Sequence, residues 1–174
     1  MLPKLILITG APGVGKTTVA GRLFDRPEDS GWLDGDDVWR MNPFIVNETT
    51  KKIVESNIQY VLRNYLVSGF SYVILSWVLR RRFIIDRILT GLSDLKYDLF
   101  VFTLVCDEET LSDRLESDVS RNEMTDLPFI RLRQSRELDT FQIDVSVKEP
   151  SEICSEILRK VTGSEFVRDW RSDE

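Results

Sequence analysis

The order of apolar and polar positions along the chain predicts buried strands that alternate with amphipathic helices. Residues 5–9 form a continuous apolar run that ends at Gly10, as is typical of a strand buried on both faces of a parallel sheet. Four later runs share this apolar, β-rich character, at residues 32–33, 72–75, 99–105 and 141–145. The pattern therefore predicts five strands.

Helices are predicted between these strands. Within residues 54–66 apolar side chains recur at three- and four-residue spacing, and Gly69 follows as a helix stop. Other helices are expected at residues 17–24, 81–92, 107–116 and 126–138, and from Pro150 onward. This alternation predicts an α/β fold, a three-layer sandwich around a mostly parallel five-stranded sheet. A chain of 174 residues without a repeat or linker is expected to form one domain over residues 1–174.

The segments that follow the predicted strands should meet at one rim of the sheet. Ligands of parallel α/β sheets bind beyond the carboxyl ends of the strands. The segments concerned are residues 9–10, 34–36, 76–80, 106–107 and 146. The side chains that bind ligands are therefore expected in these five segments.

A phosphate-binding pattern, G-x-x-x-x-G-K-[ST], follows the first predicted strand. Its residues are Gly10, Ala11, Pro12, Gly13, Val14, Gly15, Lys16 and Thr17. Glycines let the backbone turn tightly with its N–H groups inward, and the next helix directs its positive dipole end toward the phosphates. Lys16 is expected to reach the β- and γ-phosphates of ATP, Thr17 to bind Mg²⁺, and Thr18 to join the nucleotide site. The alternative is a glycine turn with a surface lysine, but the position between a strand and a helix favours a nucleotide site.

Composition removes several other classes of function. The chain has no histidine, which excludes histidine-dependent triads and metal sites. Its formal charge of -6 makes nucleic-acid binding an unfavoured function. Cys106 and Cys154 form no CxxC pair and are expected to be buried thiols. No segment approaches the ~20 apolar residues of a membrane helix, so a cytoplasmic protein is expected. A monomer or a homodimer is expected.

The phosphate-binding loop, the acidic turn after the second strand and the length together resemble the P-loop kinases of nucleotides and small molecules. This group includes adenylate, shikimate, gluconate and adenylylsulfate kinases and chloramphenicol phosphotransferase. The sequence Leu33-Asp34-Gly35-Asp36 is similar to the L-D-G-D turn of gluconate and adenylylsulfate kinases. The resemblance implies that Asp36, or else Asp34, orients the hydroxyl group of an acceptor. A solvated acidic turn and a contact to a magnesium-bound water are the alternatives.

Further residues follow from the same resemblance. Ser76 stands where adenylate kinases have a magnesium-binding aspartate, so Asp34 or Asp36 is expected to compensate through a water molecule, and Asp34 is the candidate for the metal site. Arg80 is similar in position to an acceptor-binding arginine, although an exposed basic helix start is an equal alternative. Arg114 is similar to an arginine that stacks on adenine at the start of a lid, here expected around residues 114–126. Arg121 is the candidate for stabilising charge in the transition state.

The sequence therefore predicts an ATP- and Mg²⁺-dependent kinase that phosphorylates a small-molecule or nucleotide acceptor. A nucleotide-binding switch or NTPase without a small acceptor is the first alternative. The guanine-reading pattern N-K-x-D is absent from the chain, which counts against a GTPase switch. A 5′-hydroxyl polynucleotide kinase is the second alternative, supported only by the basic cluster at Arg80, Arg81 and Arg82.

Overall fold

A computed structural model of the protein describes residues 1–118 and 125–163. The strands are β1 (Lys4–Gly10), β2 (Ser30–Asp34), β3 (Tyr72–Ser76), β4 (Asp98–Val105) and β5 (Phe141–Asp144). The helices are α1 (Lys16–Phe24), α2 (Glu48–Val67), α3 (Arg82–Thr90), α4 (Glu108–Glu116), α5 (Leu127–Arg136) and α6 (Pro150–Thr162). A short 3₁₀ helix, Gly35–Val38, follows β2. Each predicted strand and helix is present, and most ends differ from the prediction by one or two residues.

The five strands form one sheet in the order β2-β3-β1-β4-β5, and every pair is parallel. The prediction of a mostly parallel five-stranded sheet is confirmed. Because β1 lies in the middle, side chains on both of its faces are buried. Ile6 and Ile8 belong to one hydrophobic core, whereas Leu5 and Leu7 belong to a second core on the opposite face.

Helices cover both faces of the sheet and complete the three predicted layers. Helices α1, α4, α5 and α6 contribute buried apolar residues to the core that contains Ile6, and α2 and α3 contribute to the core that contains Leu5. Helix α2 begins with a capping box in which the Asn47 side chain accepts from the Thr50 N–H. Because all neighbouring strands are parallel, the carboxyl ends of all five strands lie at one edge of the sheet.

Candidate nucleotide and acceptor site

The loop between β1 and α1 has the backbone that phosphate binding requires. Gly10, Gly13 and Gly15 all have positive φ angles. A Cβ atom on Gly10 would lie 2.5 Å from the Leu104 carbonyl oxygen, whereas one on Gly15 would meet nothing within 4 Å. Gly10 is therefore needed for packing against β4, and Gly15 borders an open space. No side chain caps α1 at Gly15, so the first N–H groups of this helix can serve an anion.

Lys16 and Thr18 occupy the first turn of α1. The Lys16 Nζ atom donates to the Ala11 carbonyl oxygen at 2.9 Å, so its ammonium group lies over the loop. Thr18 is exposed. These positions suit the expected role of Lys16 at the phosphates.

The Asp34 carboxylate is the centre of a hydrogen-bond network at the end of β2. Its Oδ2 atom accepts from the Thr17 hydroxyl at 2.8 Å and from the Ser76 hydroxyl at 3.1 Å, and Oδ1 accepts from the Asp36 N–H at 3.1 Å. The Trp32 indole N–H donates to Ser76 at 3.0 Å. Asp34 and Ser76 are register partners in β2 and β3. A carboxylate on β2 therefore lies beside Ser76, the position at the end of β3 where an aspartate was expected and is missing.

Thr17 and Asp34 fit the coordination chemistry of Mg²⁺, which prefers oxygen ligands and keeps several waters or phosphate oxygens. Within residues 1–118 and 125–163, no group of three or more His, Cys, Asp or Glu residues forms a cage for a metal ion. Two protein oxygen ligands suit an ion that arrives with the phosphates.

Asp36 lies in the 3₁₀ helix after β2 and is exposed. Its Oδ1 atom accepts from the Trp77 indole N–H at 3.1 Å. Gly35 is closely packed against the same indole, because a Cβ atom there would lie 2.4 Å from the Trp77 Cγ atom. Trp77 therefore fixes both the turn and the carboxylate, which leaves the second Asp36 oxygen for other partners.

Two arginines approach Asp36 from other elements. Arg80, in the loop after β3, is partly buried, and Arg131 reaches the site from α5. The pKa of the Arg131 guanidinium is lowered, first by burial and then by the charge of Arg80, while Asp36 opposes this shift. The Arg131 Nε atom is buried, and no described residue forms a hydrogen bond with it.

Arg131 is not among the site residues predicted from the sequence. Its neighbours on α5 contact other groups: Arg133 lies 3.2 Å from Glu108, and Arg136 donates to the Cys106 carbonyl oxygen at 2.6 Å. A signal was present, because Arg131 follows the buried Pro128 by three positions and precedes the buried Ser135 by four.

Arg114 connects the phosphate-binding loop with the end of β5. Its guanidinium donates to the Val14 carbonyl oxygen at 3.0 Å and to the Val145 carbonyl oxygen at 2.7 Å. A planar guanidinium can stack on a ring while its N–H groups are bonded, so the adenine-stacking role of Arg114 stays a prediction. Arg121 and residues 119–124 of the expected lid lie outside the described residues.

The two cysteines have a structural role and not a chemical one. Cys106 and Cys154 are free thiols in the interior, and burial raises the pKa of each above its ordinary value, which disfavours the reactive thiolate. Among the helices of the described residues, none has the length and apolar character needed to cross a membrane.

Comparisons with known proteins agree with this architecture. The model of the AAA domain family matches residues 6–139. A comparison of the sequence with curated proteins gave no significant match.

Similar solved structures include the tunicamycin resistance protein of Deinococcus radiodurans, with 20% identity, a TM-score of 0.71 and coverage of 93% of this chain and 96% of that chain. A gluconokinase from Sinorhizobium meliloti has 18% identity, a TM-score of 0.69 and coverage of 92% of each chain. The shikimate kinase of Acinetobacter baumannii has 21% identity, a TM-score of 0.61 and coverage of 92% of this chain and 93% of that chain. The chain therefore belongs to the AAA domain family and has the fold of the P-loop small-molecule kinases.

Proposed function

We propose that the protein is an ATP-dependent kinase that transfers the γ-phosphate of ATP·Mg²⁺ to a hydroxyl group of a small-molecule acceptor. The observation that carries this proposal is the division of partners between Asp34 and Asp36. Asp34 bonds to Thr17, on the nucleotide side, whereas Asp36 accepts from Trp77 and lies near Arg131. A switch or an NTPase needs the first carboxylate but not the second. The gluconokinase and the shikimate kinase among the similar structures support the same class of reaction.

The residues have separate tasks in this reaction. The loop N–H groups and Lys16 bind the phosphates and neutralise the charge that develops on them during transfer. Thr17 and Asp34 hold the Mg²⁺ that accompanies the nucleotide. Asp36 orients the acceptor hydroxyl and accepts its proton as the oxygen attacks the γ-phosphate in line.

The test compares three neighbouring carboxylates. We expect Asp36→Asn to retain ATP·Mg²⁺ affinity while acceptor phosphorylation falls ~100-fold to 10,000-fold, the usual contribution of a general base. Asp34→Asn should lose Mg²⁺-dependent ATP affinity. Asp37→Asn is the matched control, because Asp37 is exposed and pairs with the exposed Arg40 at 2.8 Å.

The measurements are calorimetric ATP titration, with and without Mg²⁺, and mass spectrometry of a metabolite mixture incubated with the enzyme and ATP. A wild-type rate for Asp36→Asn would contradict the assigned role. Steady ATP hydrolysis that no metabolite stimulates would favour the NTPase alternative. Salt-dependent phosphorylation of a 5′-hydroxyl oligonucleotide would favour a polynucleotide kinase.

A further inference from the structure

Aromatic side chains form one wall beside Asp36. The Trp39 ring lies edge-on to Trp77, with 5.8 Å between the ring centroids, and 5.7 Å from the ring of Phe44. Phe44 is 63% exposed although it is a large apolar side chain. In the wall composed of Trp39, Phe44 and Trp77, Phe44 and part of Trp39 are open to solvent, whereas Trp77 is buried behind them. Apolar ring surface is therefore exposed beside Asp36, where an acceptor would lie.

The same wall contains an unsatisfied donor. The Trp39 indole N–H is buried and has no hydrogen-bond partner among residues 1–118 and 125–163, whereas the Trp77 indole N–H is satisfied by Asp36. A buried donor without a partner costs free energy, and such groups in folded proteins are normally satisfied by a protein group, a water or a ligand. Within the described residues, three buried side-chain polar atoms have no partner, and two of them are Trp39 Nε1 and Arg131 Nε.

The cationic side of the site consists of Arg80 and Arg131. They lie close enough for the charge of one to lower the pKa of the other, and neither forms an ion pair within residues 1–118 and 125–163. By contrast Arg40, Arg63, Arg87 and Arg133 each pair with an acid. Like charges that are partly desolvated repel each other, and a bound anion removes this cost. A guanidinium pair suits the two oxygens of a carboxylate or the oxygens of a phosphate.

We propose that the acceptor is a ring-containing hydroxy compound with an anionic group, whose ring lies against Trp39 and Phe44 and whose anion binds between Arg80 and Arg131. The hydroxyl group then lies at Asp36. This proposal rests on the proposed kinase function, since it assigns the acceptor of that same site. A neutral acceptor would leave the two guanidiniums uncompensated, and an acyclic one would leave the aromatic wall exposed.

Binding is tested without turnover, in the presence of Mg²⁺ and a non-hydrolysable ATP analogue. The probes are 4-(hydroxymethyl)benzoate, its neutral amide and 4-(hydroxymethyl)cyclohexanecarboxylate, which separate the charge from the flat ring. Affinities are measured by calorimetry and by quenching of tryptophan fluorescence. We expect the benzoate to bind about tenfold tighter than the amide, as a charge-assisted bond predicts, and tighter than the cyclohexane acid.

Substitutions test whether the preferences for an anionic group and for a flat ring depend on the arginines and on Trp39. Arg80→Gln and Arg131→Gln should each remove the difference between benzoate and amide, and Trp39→Leu should remove the difference between the flat and the saturated ring. Arg133→Gln is the matched control on the same helix and should change none of these affinities. Unaltered affinity for the ATP analogue in each variant shows that the fold and the nucleotide site are intact.

Several results would overturn the proposal. They are equal binding of benzoate and amide, binding of none of the three probes at millimolar concentrations, and an Arg131→Gln variant that loses affinity for the ATP analogue instead. A neutral or acyclic acceptor found by mass spectrometry, phosphorylated in an Asp36-dependent reaction, would contradict this assignment and leave the kinase function standing. Loss of the kinase function itself would be seen in the Asp36→Asn comparison, which uses no probe.

Discussion

Two aspartates separated by one glycine have different surroundings, and this difference depends on single hydrogen bonds. Asp34 accepts from Thr17, Ser76 and the N–H of Asp36, whereas the Asp36 carboxylate accepts from Trp77. The sequence indicated that both residues belong to the site. The family resemblance ranked Asp36 before Asp34 as the acceptor carboxylate. The hydrogen bonds that distinguish the two could not be predicted, because the partners lie on α1, at the end of β3 and directly after it, which are distant in the chain.

Lys16 is the residue on which the nucleotide site most depends. Replacement by alanine removes the positive charge at the phosphates, so Lys16→Ala should abolish turnover and weaken ATP binding while the protein stays folded. Lys96→Ala is a charge-matched control, since Lys96 is exposed just before β4 at the opposite edge of the sheet. Calorimetric titration with ATP·Mg²⁺ checks both variants. Wild-type affinity and turnover in Lys16→Ala would contradict the assignment of the loop.

Arg114 is expected to have two separable effects. Arg114→Ala should weaken ATP binding by about 1 to 2 kcal/mol through loss of a stacking surface. It should also destabilise the protein, because the Val14 and Val145 carbonyls lose a donor at a cost of about 1–3 kcal/mol each. ATP titration and urea denaturation measure the two effects. Arg133→Ala, which removes an exposed pair with Glu108, should change both quantities little. An unchanged dissociation constant for ATP in Arg114→Ala would leave this arginine with a structural role alone.

At the scale of elements, helices and strands followed from the sequence because each depends on local periodicity. The apolar residues of α2 recur at the spacing of one helical face, and β1 is apolar throughout because both of its faces are covered. The 3₁₀ helix at Gly35–Val38 was not predicted. Its geometry depends on the Trp77 ring packed against Gly35 and on the bond from Trp77 to Asp36, contacts that no local pattern reveals.

Helix α2 offers a test of stability at this scale. Asn47→Ala removes the side-chain acceptor of the capping box, so we expect a loss of about 0.5–2 kcal/mol in the free energy of unfolding. Thr49→Ala is the control, because Thr49 is exposed in the same first turn and takes no part in the capping box. Urea denaturation measures both. Equal midpoints for the two variants would show that the cap does not stabilise α2.

At the scale of the whole molecule, acid should destabilise the fold in a defined range. Backbone N–H bonds from Thr110 and Ser146 lower the pKa values of Asp107 and Asp144 respectively. Their stabilising effect is therefore complete above the unfolded pKa of about 4 and is lost as the pH falls through the lower folded values. With no histidine in the chain, no comparable histidine-linked change is expected between about pH 6 and 7.

The pH prediction is checked by urea denaturation at several pH values. Asp107→Asn should lower stability at neutral pH and flatten its decline below about pH 4, because the variant has no proton to take up at that position. Asp113→Asn is a control of equal charge change on the exposed side of α4. A decline of unchanged slope in Asp107→Asn would show that other carboxylates dominate.

The central position of β1 has a consequence for synthesis on the ribosome. Lys4 pairs with Tyr72 on one side, 68 positions later (72 − 4), and Gly10 pairs with Leu104 on the other side, 94 positions later (104 − 10). At roughly 5–20 residues per second, about 5 to 19 s pass between synthesis of the phosphate-binding loop and synthesis of its last sheet neighbour. Until β3 is made, the apolar strand β1 has no partner on either edge, and until β4 is made it can have a partner on one edge only. Nascent chains that end before β4 should therefore depend on chaperones and should not bind ATP.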